Sequence, residues 1–159
     1  EKFDDNVKRG IYLHRSIDAF TDSHPVVQQS KSRLREKYRH YAGVIVDVFY
    51  DHFLAVHWQK YHKTPLEEYA AKTYGIVTAH HDILPARVQE FFPYMVRGNW
   101  LYNYSRVEGI ARALTGMSRR TPFESKMDEA PNELIQYYDE FASEFESFFP
   151  DLQRSVSNF

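Results

Sequence analysis

The stretch from residue 42 to residue 58 constrains the fold more than any other part of the chain. It reads Ala-Gly-Val-Ile-Val-Asp-Val-Phe-Tyr-Asp-His-Phe-Leu-Ala-Val-His-Trp and is apolar on almost every side, which is typical of a helix at the centre of a fold. The β-branched residues between 44 and 50 also fit a strand. The length of the run and the return of aspartate after four residues favour a helix. We therefore predict a central buried helix over residues 42–61.

Two aspartates on this predicted helix need a partner. Asp47 and Asp51 are four residues apart and share a helix face, where like charges repel one another, and burial increases the repulsion. A nearby cation would relieve it, and a buried arginine, a protonated histidine and a metal ion all remain candidates. His52 points about 100° away from Asp51 on an ideal helix. We expect one of these two residues to face a site and the other to support it.

A second cluster of possible ligands begins at His14. His14 and Asp18 share the apolar stripe of a predicted first helix, residues 3–20, which places both on its inward side. Asp22 and His24 follow in the turn before Pro25, which is suited to the first turn of the next helix. Two less specific interpretations stay open. Thr21, Asp22 or Ser23 could simply cap that next helix, and Arg15 could pair with the acids in a structural network.

Prolines and helical periodicity divide the rest of the chain. We predict further helices over residues 25–41, from Pro65, from Pro85, over residues 105–114 and from Pro131. A chain of 159 residues with 43% hydrophobic and 26% charged residues suits one domain with a proper core. The expected fold is therefore an all-α, single-domain bundle of about six or seven helices over residues 1–159.

Composition limits the chemistry that is available. The chain has no cysteine, so a metal would be held by histidine and carboxylate groups, which favours Mn, Mg, Fe or a histidine-rich Zn site. The net charge of −2 gives no general attraction to nucleic acid or anionic membranes. The sequence has no apolar run long enough to span a membrane and no recognisable signal peptide. We expect a cytoplasmic protein that binds neither nucleic acid nor membrane.

Local basic patches contrast with this net charge. Arg33 and Arg35 lie on the basic side of the predicted second helix, which is ordinarily a solvated face. Arg119 and Arg120 fall in a polar loop, where paired guanidinium groups match the geometry of phosphate oxygens. These four arginines are the candidates for contact with an anionic substrate or partner.

Five short segments in order along the chain together resemble one protein family. They are residues 10–18 (Gly-Ile-Tyr-Leu-His-Arg-Ser-Ile-Asp), 21–25 (Thr-Asp-Ser-His-Pro), 47–54 (containing Tyr-Asp-His-Phe-Leu), 99–101 (Asn-Trp-Leu) and 116–120 (Gly-Met-Ser-Arg-Arg). The sequence is similar to the acyl carrier protein phosphodiesterases, also called acyl carrier protein hydrolyases, a divergent branch of the HD-domain phosphohydrolases. The likeness spans most of the chain.

The resemblance implies an HD-domain-like fold and a reaction. The expected activity is the hydrolysis that releases 4′-phosphopantetheine from the serine of holo-acyl carrier protein, with Mn²⁺ as the expected metal and Mg²⁺ or Fe²⁺ as alternatives. Family members usually begin with a further segment that carries another histidine and aspartate. We therefore expect this sequence to lack an N-terminal segment and to have an incomplete site.

Three hypotheses follow for the function. In the first, a metal phosphodiesterase uses His14, Asp18, His24, Asp47 and Asp51 as metal ligands, Asp18, Asp22, Arg15 and His52 as catalytic or supporting groups, and Arg33, Arg35, Arg119 and Arg120 to bind the acidic carrier protein. In the second, the same type of hydrolase acts on a nucleotide or another small phosphoester. In the third, the chain is a non-catalytic helical binding module whose buried acids pair with arginine. Stoichiometric metal would separate the third from the others.

Overall fold

The computed structural model describes residues 4–159, and these residues are predominantly helical. The helices are α1 (Asp5–Ser23), α2 (Pro25–Tyr38), α3 (Ala42–Val56), α4 (Trp58–Tyr61), α5 (Leu66–Ala79), α6 (Ala86–Arg97), α7 (Trp100–Asn103), α8 (Val107–Ser118), α9 (Pro131–Gln136) and α10 (Tyr138–Ser155). Turns of 3₁₀ helix occupy Arg39–Tyr41, His81–Ile83 and Met127–Glu129. Residues 4–159 contain no strand, so the all-α prediction is confirmed. The helices outnumber the six or seven expected, because α4, α7 and α9 are short, separate segments.

The junction between the first two helices follows the proline rule. α1 ends at Ser23 and α2 begins at Pro25, because a residue before proline is driven out of the helical conformation. That residue, His24, is extended, and its Nδ1 accepts a hydrogen bond from the Val26 amide. The cap of α2 is therefore His24, and the alternative prediction of Thr21, Asp22 or Ser23 as the cap is wrong. Phe3, which began the predicted apolar stripe, lies outside the described residues.

Helix α3 confirms a buried central helix and excludes the alternative strand. Ile45, Val46, Phe49 and Phe53 are completely buried. The helix ends at Val56, and α4 continues after His57, so the predicted helix of residues 42–61 is interrupted once. The helix is nevertheless not enclosed on all sides, because Asp47 and Asp51 are exposed to solvent.

The chain forms two compact units, and the first comprises Glu1–Asp47 and Asn132–Phe159. In this unit α2 packs against both α1 and α10, and α1 also contacts α10. The core side chains of α2 and α10 are Val27, Leu34, Tyr38, Phe141 and Phe145. The phenylalanines Phe141, Phe145 and Phe148 therefore lie on the buried face of α10.

The second unit comprises Val48–Pro131. Its helix α7 contacts α5, α6 and α8, and α8 also packs on the 3₁₀ turn Met127–Glu129. Ala70, Tyr74 and Phe92 form a buried cluster, and the Tyr74 hydroxyl accepts a hydrogen bond from the Leu101 amide at 2.9 Å. Between α7 and α8 a Cβ atom added to Gly109 would lie 1.9 Å from the Asn103 carbonyl oxygen. Each unit has buried residues of its own, and the single domain stays a prediction.

No helix within residues 4–159 combines the length and the apolar character that crossing a bilayer requires.

Candidate functional site

His14 and Asp18 form the predicted pair on α1, but they face solvent. His14 Nδ1 lies 3.1 Å from Asp18 Oδ2, one helical turn away, and the two side chains are 76% and 58% exposed. None of the described residues of α1 is buried. The prediction that this pair lies on an inward face is therefore wrong, because periodicity identifies an apolar stripe but not whether another element covers it.

A lysine meets the aspartates of the first unit. The Lys31 ammonium on α2 lies 2.8 Å from Asp22 Oδ1, and the lysine side chain is only 12% exposed. Its tip also passes 3.7 Å from the position that a Cβ on Gly43 would occupy, at the start of α3. Asp47 lies one turn further along α3. We call Asp18, Asp22, Lys31 and Asp47 the lysine–aspartate cluster.

Asp47 is the electrostatically perturbed member of this cluster. Loss of solvation by the surrounding protein raises the pKa of its carboxyl group, Lys31 lowers it, and the charges of Asp22 and Asp18 raise it further. The residue is nevertheless exposed to solvent, so its carboxylate remains accessible to a ligand. The predicted cation near Asp47 is thus present, but it is Lys31 and not one of the three predicted candidates, arginine, protonated histidine or metal ion.

Both ring nitrogens of His24 are occupied. Nδ1 accepts from the Val26 amide at 3.3 Å, so Nε2 carries the proton and donates to Asp151 Oδ2 at 3.1 Å. The ring also packs between Phe20 and Phe148. A metal ligand needs a free lone pair on an imidazole nitrogen, and the arrangement leaves none. In this arrangement His24 joins α2 to α10, and its assignment as a metal ligand stays a prediction.

The predicted metal ligands do not converge on one point. Within residues 4–159 no three histidine, cysteine, aspartate or glutamate side chains are grouped so that they could hold a metal ion. His14 pairs with Asp18 at the exposed side of the lysine–aspartate cluster, and His24 is engaged by Val26 and Asp151. Asp47 lies in the lysine–aspartate cluster, and Asp51 lines a cavity described below. The described residues alone therefore do not form a complete metal site.

In the second unit, His52 fixes the backbone at Tyr104. The imidazole is 2% exposed, and its Nδ1 lies 2.7 Å from the Tyr104 carbonyl oxygen. Burial lowers the pKa of His52, the hydrogen bond to Tyr104 opposes that effect, and the charge on His57 adds to the lowering. The ring is therefore neutral at pH 7, and Nδ1–H donates to the carbonyl. His52 acts as a positioning group, consistent with the supporting role that was one of its two predicted alternatives.

Asp51 lines a largely apolar cavity in the second unit. The cavity measures about 110 Å³ and is lined by Asp51, Leu54, Ala55, Trp58, Leu66, Tyr69, Leu101 and Tyr104. Burial, with a further contribution from Asp51, raises the pKa of Tyr104 to about 12, so its hydroxyl keeps its proton at neutral pH. We call this the Asp51–Tyr104 cavity.

The candidate docking arginines divide into two groups. The Arg33 guanidinium forms two hydrogen bonds with the Glu144 carboxylate, at 2.7 and 2.9 Å, and lies over the Phe141 ring. Arg35 donates to Gln28 Oε1 at 2.6 Å. The Arg33 side chain is thus paired within its own unit. This pairing could not be predicted from local sequence, because Glu144 is 111 residues away.

The arginines after α8 remain at the surface. Arg119 and Arg120 are both exposed, and Arg120 donates from Nε to the Gly116 carbonyl oxygen at 3.0 Å. Arg120 also borders an open recess of about 240 Å³, whose other lining residues are Arg87, Glu90, Phe91 and Tyr94. Arg15, the predicted structural partner of the aspartates, is exposed on α1.

Comparison with known proteins places the chain in a family. The family model for acyl carrier protein phosphodiesterase matches residues 1–152. The chain belongs to the acyl carrier protein phosphodiesterase family. A phosphodiesterase of this name from Photorhabdus laumondii is 32% identical over 154 residues, which are 96% of this chain and 78% of the relative. An Escherichia coli relative is 30% identical over 159 residues, covering 99% of this chain and 82% of the relative.

Membership of the acyl carrier protein phosphodiesterase family confirms the resemblance found in the sequence, and the family's name is that of a phosphoric diester hydrolase. A further relative of the same name, from Enterobacter sp., is 32% identical over 96% of this chain. No solved structure matches the chain.

Proposed function

We propose that this chain hydrolyses the phosphodiester that joins 4′-phosphopantetheine to a serine of holo-acyl carrier protein, and so releases the apo protein. The observation that carries the proposal is the family match over residues 1–152. Relatives named acyl carrier protein phosphodiesterase support it with identities of 29–32% over at least 94% of this chain. An HD-domain-like fold belongs to the same proposal. The only adjacent His-Asp pair in the sequence, His81 and Asp82, lies on an exposed 3₁₀ turn.

The reaction needs a group that accepts the proton of the attacking water. The accessible carboxylates of Asp22 and Asp47 are the candidates in the first unit. Lys31 holds one Asp22 oxygen at 2.8 Å, which fixes the orientation of that carboxylate. Acid–base groups of this kind typically contribute about 10²–10⁴-fold to a rate.

The lysine–aspartate cluster carries a net negative charge, which favours a requirement for a metal cation. One ammonium balances only one of three carboxylates, and the anionic phosphodiester would be repelled by the remaining negative charge. We propose that a divalent cation, Mn²⁺ first and Mg²⁺ or Fe²⁺ next, takes part in the reaction. The residues of the described range do not make a complete site for it, so no catalytic step is assigned to the metal.

The carrier protein itself is proposed to dock through basic residues. Acyl carrier proteins are acidic, and complementary charge mainly accelerates association at low salt. Arg119 and Arg120 are exposed and suited to this contact. Arg33 and Arg35 already have partners within the first unit, and we therefore leave them out of the docking surface.

Incubation with holo-acyl carrier protein tests the proposal. Mass spectrometry should show the carrier protein losing a mass equal to phosphopantetheine in the presence of Mn²⁺. Cleavage of a nucleotide or another small phosphoester without this loss would favour the second hypothesis. An intact carrier protein, no phosphoester cleavage and no stoichiometric metal would favour a binding module and refute the proposed activity.

A further inference from the structure

The Asp51–Tyr104 cavity has no role in the hydrolysis proposed above. Six of its eight lining residues are Leu54, Ala55, Trp58, Leu66, Tyr69 and Leu101, which present largely apolar surface. The Trp58 indole N–H donates to the Thr64 carbonyl oxygen at 2.8 Å. The indole therefore needs no polar partner from a ligand. A cavity of about 110 Å³ has room for roughly seven to ten groups the size of a water molecule or a methylene.

The remaining two lining residues give the cavity one polar edge. Asp51 supplies carboxylate oxygens, which can accept several hydrogen bonds at once and so can take one more in addition to contacts within the fold. Tyr104 supplies a protonated hydroxyl that can donate. The backbone of Tyr104 is held by the buried imidazole of His52. This edge therefore combines one acceptor with one donor, and the backbone that carries the donor is held in place.

An acceptor and a donor beside an apolar cavity match a secondary amide that continues into a hydrocarbon chain. The amide N–H would donate to Asp51, and the amide carbonyl would accept from Tyr104. The far end of an acylated phosphopantetheine arm has this chemistry, because its last amide is followed by two methylenes, a thioester and the acyl chain. A simple fatty acid lacks the amide.

We propose that the Asp51–Tyr104 cavity binds the acylated end of the phosphopantetheine arm, with the last amide at Asp51 and Tyr104 and the acyl chain among the apolar side chains. The identity of the ligand rests on the proposed function. The two methylenes and the thioester occupy about four of the roughly seven to ten groups that fit, so the size of the cavity favours acyl chains of roughly four to seven carbons. The cavity would then determine which acyl forms of the carrier protein the chain accepts.

Binding of S-hexanoyl-pantetheine to the full chain tests this inference. Of the two tryptophans in the sequence, Trp58 lines the cavity, so a Trp100→Phe background makes its fluorescence the reporter. We expect a saturable change in emission. Ala55→Leu fills the cavity and should abolish that change, and Leu66→Phe narrows it from the edge and serves as a second variant if Ala55→Leu does not fold.

Two further variants test the hydrogen bond at the polar edge and control for effects of a larger side chain elsewhere in the protein. Tyr104→Phe keeps the ring and removes one hydrogen-bond donor, so affinity should fall about three- to tenfold. Ala71→Leu makes the same change in size as Ala55→Leu at an exposed position of α5, and its binding should equal that of the parent. Circular dichroism establishes that each variant is folded.

A saturable signal that is lost on filling the cavity supports the inference. The inference is overturned if the probe gives no signal, if the signal persists in the folded cavity-filling variants, or if hexanoate alone binds as tightly as the amide-containing probe. The probe contains no phosphodiester, so this test is independent of hydrolysis. A chain that binds the probe but leaves holo-acyl carrier protein intact refutes only the proposed function, and a chain that cleaves without binding the probe refutes only this inference.

Discussion

Arg33 offers a direct test of whether a basic residue on α2 serves the fold or a partner. In the structure its guanidinium pairs with Glu144, which is 7% exposed and also accepts a hydrogen bond from the buried Ser30 hydroxyl. Arg33→Met removes the cation, keeps most of the aliphatic stem and leaves a buried carboxylate without its ion partner. Such a loss typically costs about 3–5 kcal/mol.

The geometry places the expected cost near the lower end of this range. The Arg33 side chain is 19% exposed, so water can partly replace it, and Ser30 still donates to Glu144. We expect about 3 kcal/mol, which for a chain of this length lowers the thermal midpoint by roughly 6–12 °C. Adding Glu144→Gln removes the stranded charge and should restore part of the loss. The assay is thermal unfolding followed by circular dichroism.

Arg35→Met is the matched control for Arg33→Met. It removes the same charge from the same helix at an exposed position, where the partner is Gln28, and should change stability by less than about 0.5 kcal/mol. The reasoning is refuted if Arg33→Met unfolds at the wild-type temperature. A variant of wild-type stability that associates more slowly with the carrier protein would instead restore Arg33 to the docking surface predicted from sequence.

Two further predictions concern the second unit. Because burial lowers the pKa of His52, the unfolded state binds a proton at this residue more readily than the folded state. The free energy of unfolding should therefore fall as the pH drops below about 6.5. His52→Gln should flatten this dependence in denaturant titrations between pH 7 and 5, and an unchanged slope would contradict the prediction. Gly109→Ala would place a methyl group against the Asn103 carbonyl and should cost at least about 3 kcal/mol. Gly116→Ala, which has only the flexible end of Arg120 within 4 Å, should be neutral or stabilising in the same melts, and equal effects of the two would refute the close-packing argument.

Patterns between residues close in sequence predicted where the helices lie, but not which helix faces are buried against other helices. The prohibition on helix before proline located the α1–α2 junction at His24 and Pro25, and the apolar run of α3 marked a helix whose residues Ile45 and Phe49 are fully buried. These signals act between residues that are close in sequence. Whether the stripe of α1 is covered depends on elements far away, and the exposure of His14 could not be inferred from periodicity.

In the candidate site, too, the sequence could not identify the partners of charged residues when those partners lie far away in the chain. The repulsion expected between acids correctly indicated that Asp47 needs a cation. It could not identify Lys31, because helical periodicity does not show how far a long flexible side chain on another helix reaches. The contacts of His24 could not be predicted for a related reason. Its Nε2 partner, Asp151, is 127 residues away, and no spacing rule connects the two.

Lys31 also decides between two interpretations of the lysine–aspartate cluster. If the cluster attracts a divalent cation, Lys31 competes with that cation for Asp22 and Asp47, and Lys31→Met should tighten Mn²⁺ binding. Two unit charges about 4 Å apart interact by roughly 1 kcal/mol in water and 4 kcal/mol near a protein surface, and a divalent ion doubles this. A tenfold gain, about 1.4 kcal/mol, is therefore a conservative expectation for calorimetric titration with Mn²⁺.

The control for this titration is Lys8→Met, which removes the same charge beside Asp5 on the exposed face of α1 and should leave Mn²⁺ affinity unchanged. A different set of results would assign the positive charge needed for the reaction to Lys31 instead of to a metal ion. If carrier-protein cleavage is insensitive to chelators but is lost in Lys31→Met, the ammonium provides the positive charge near the phosphoryl group. In that case the divalent cation proposed for this chain is not needed for the reaction.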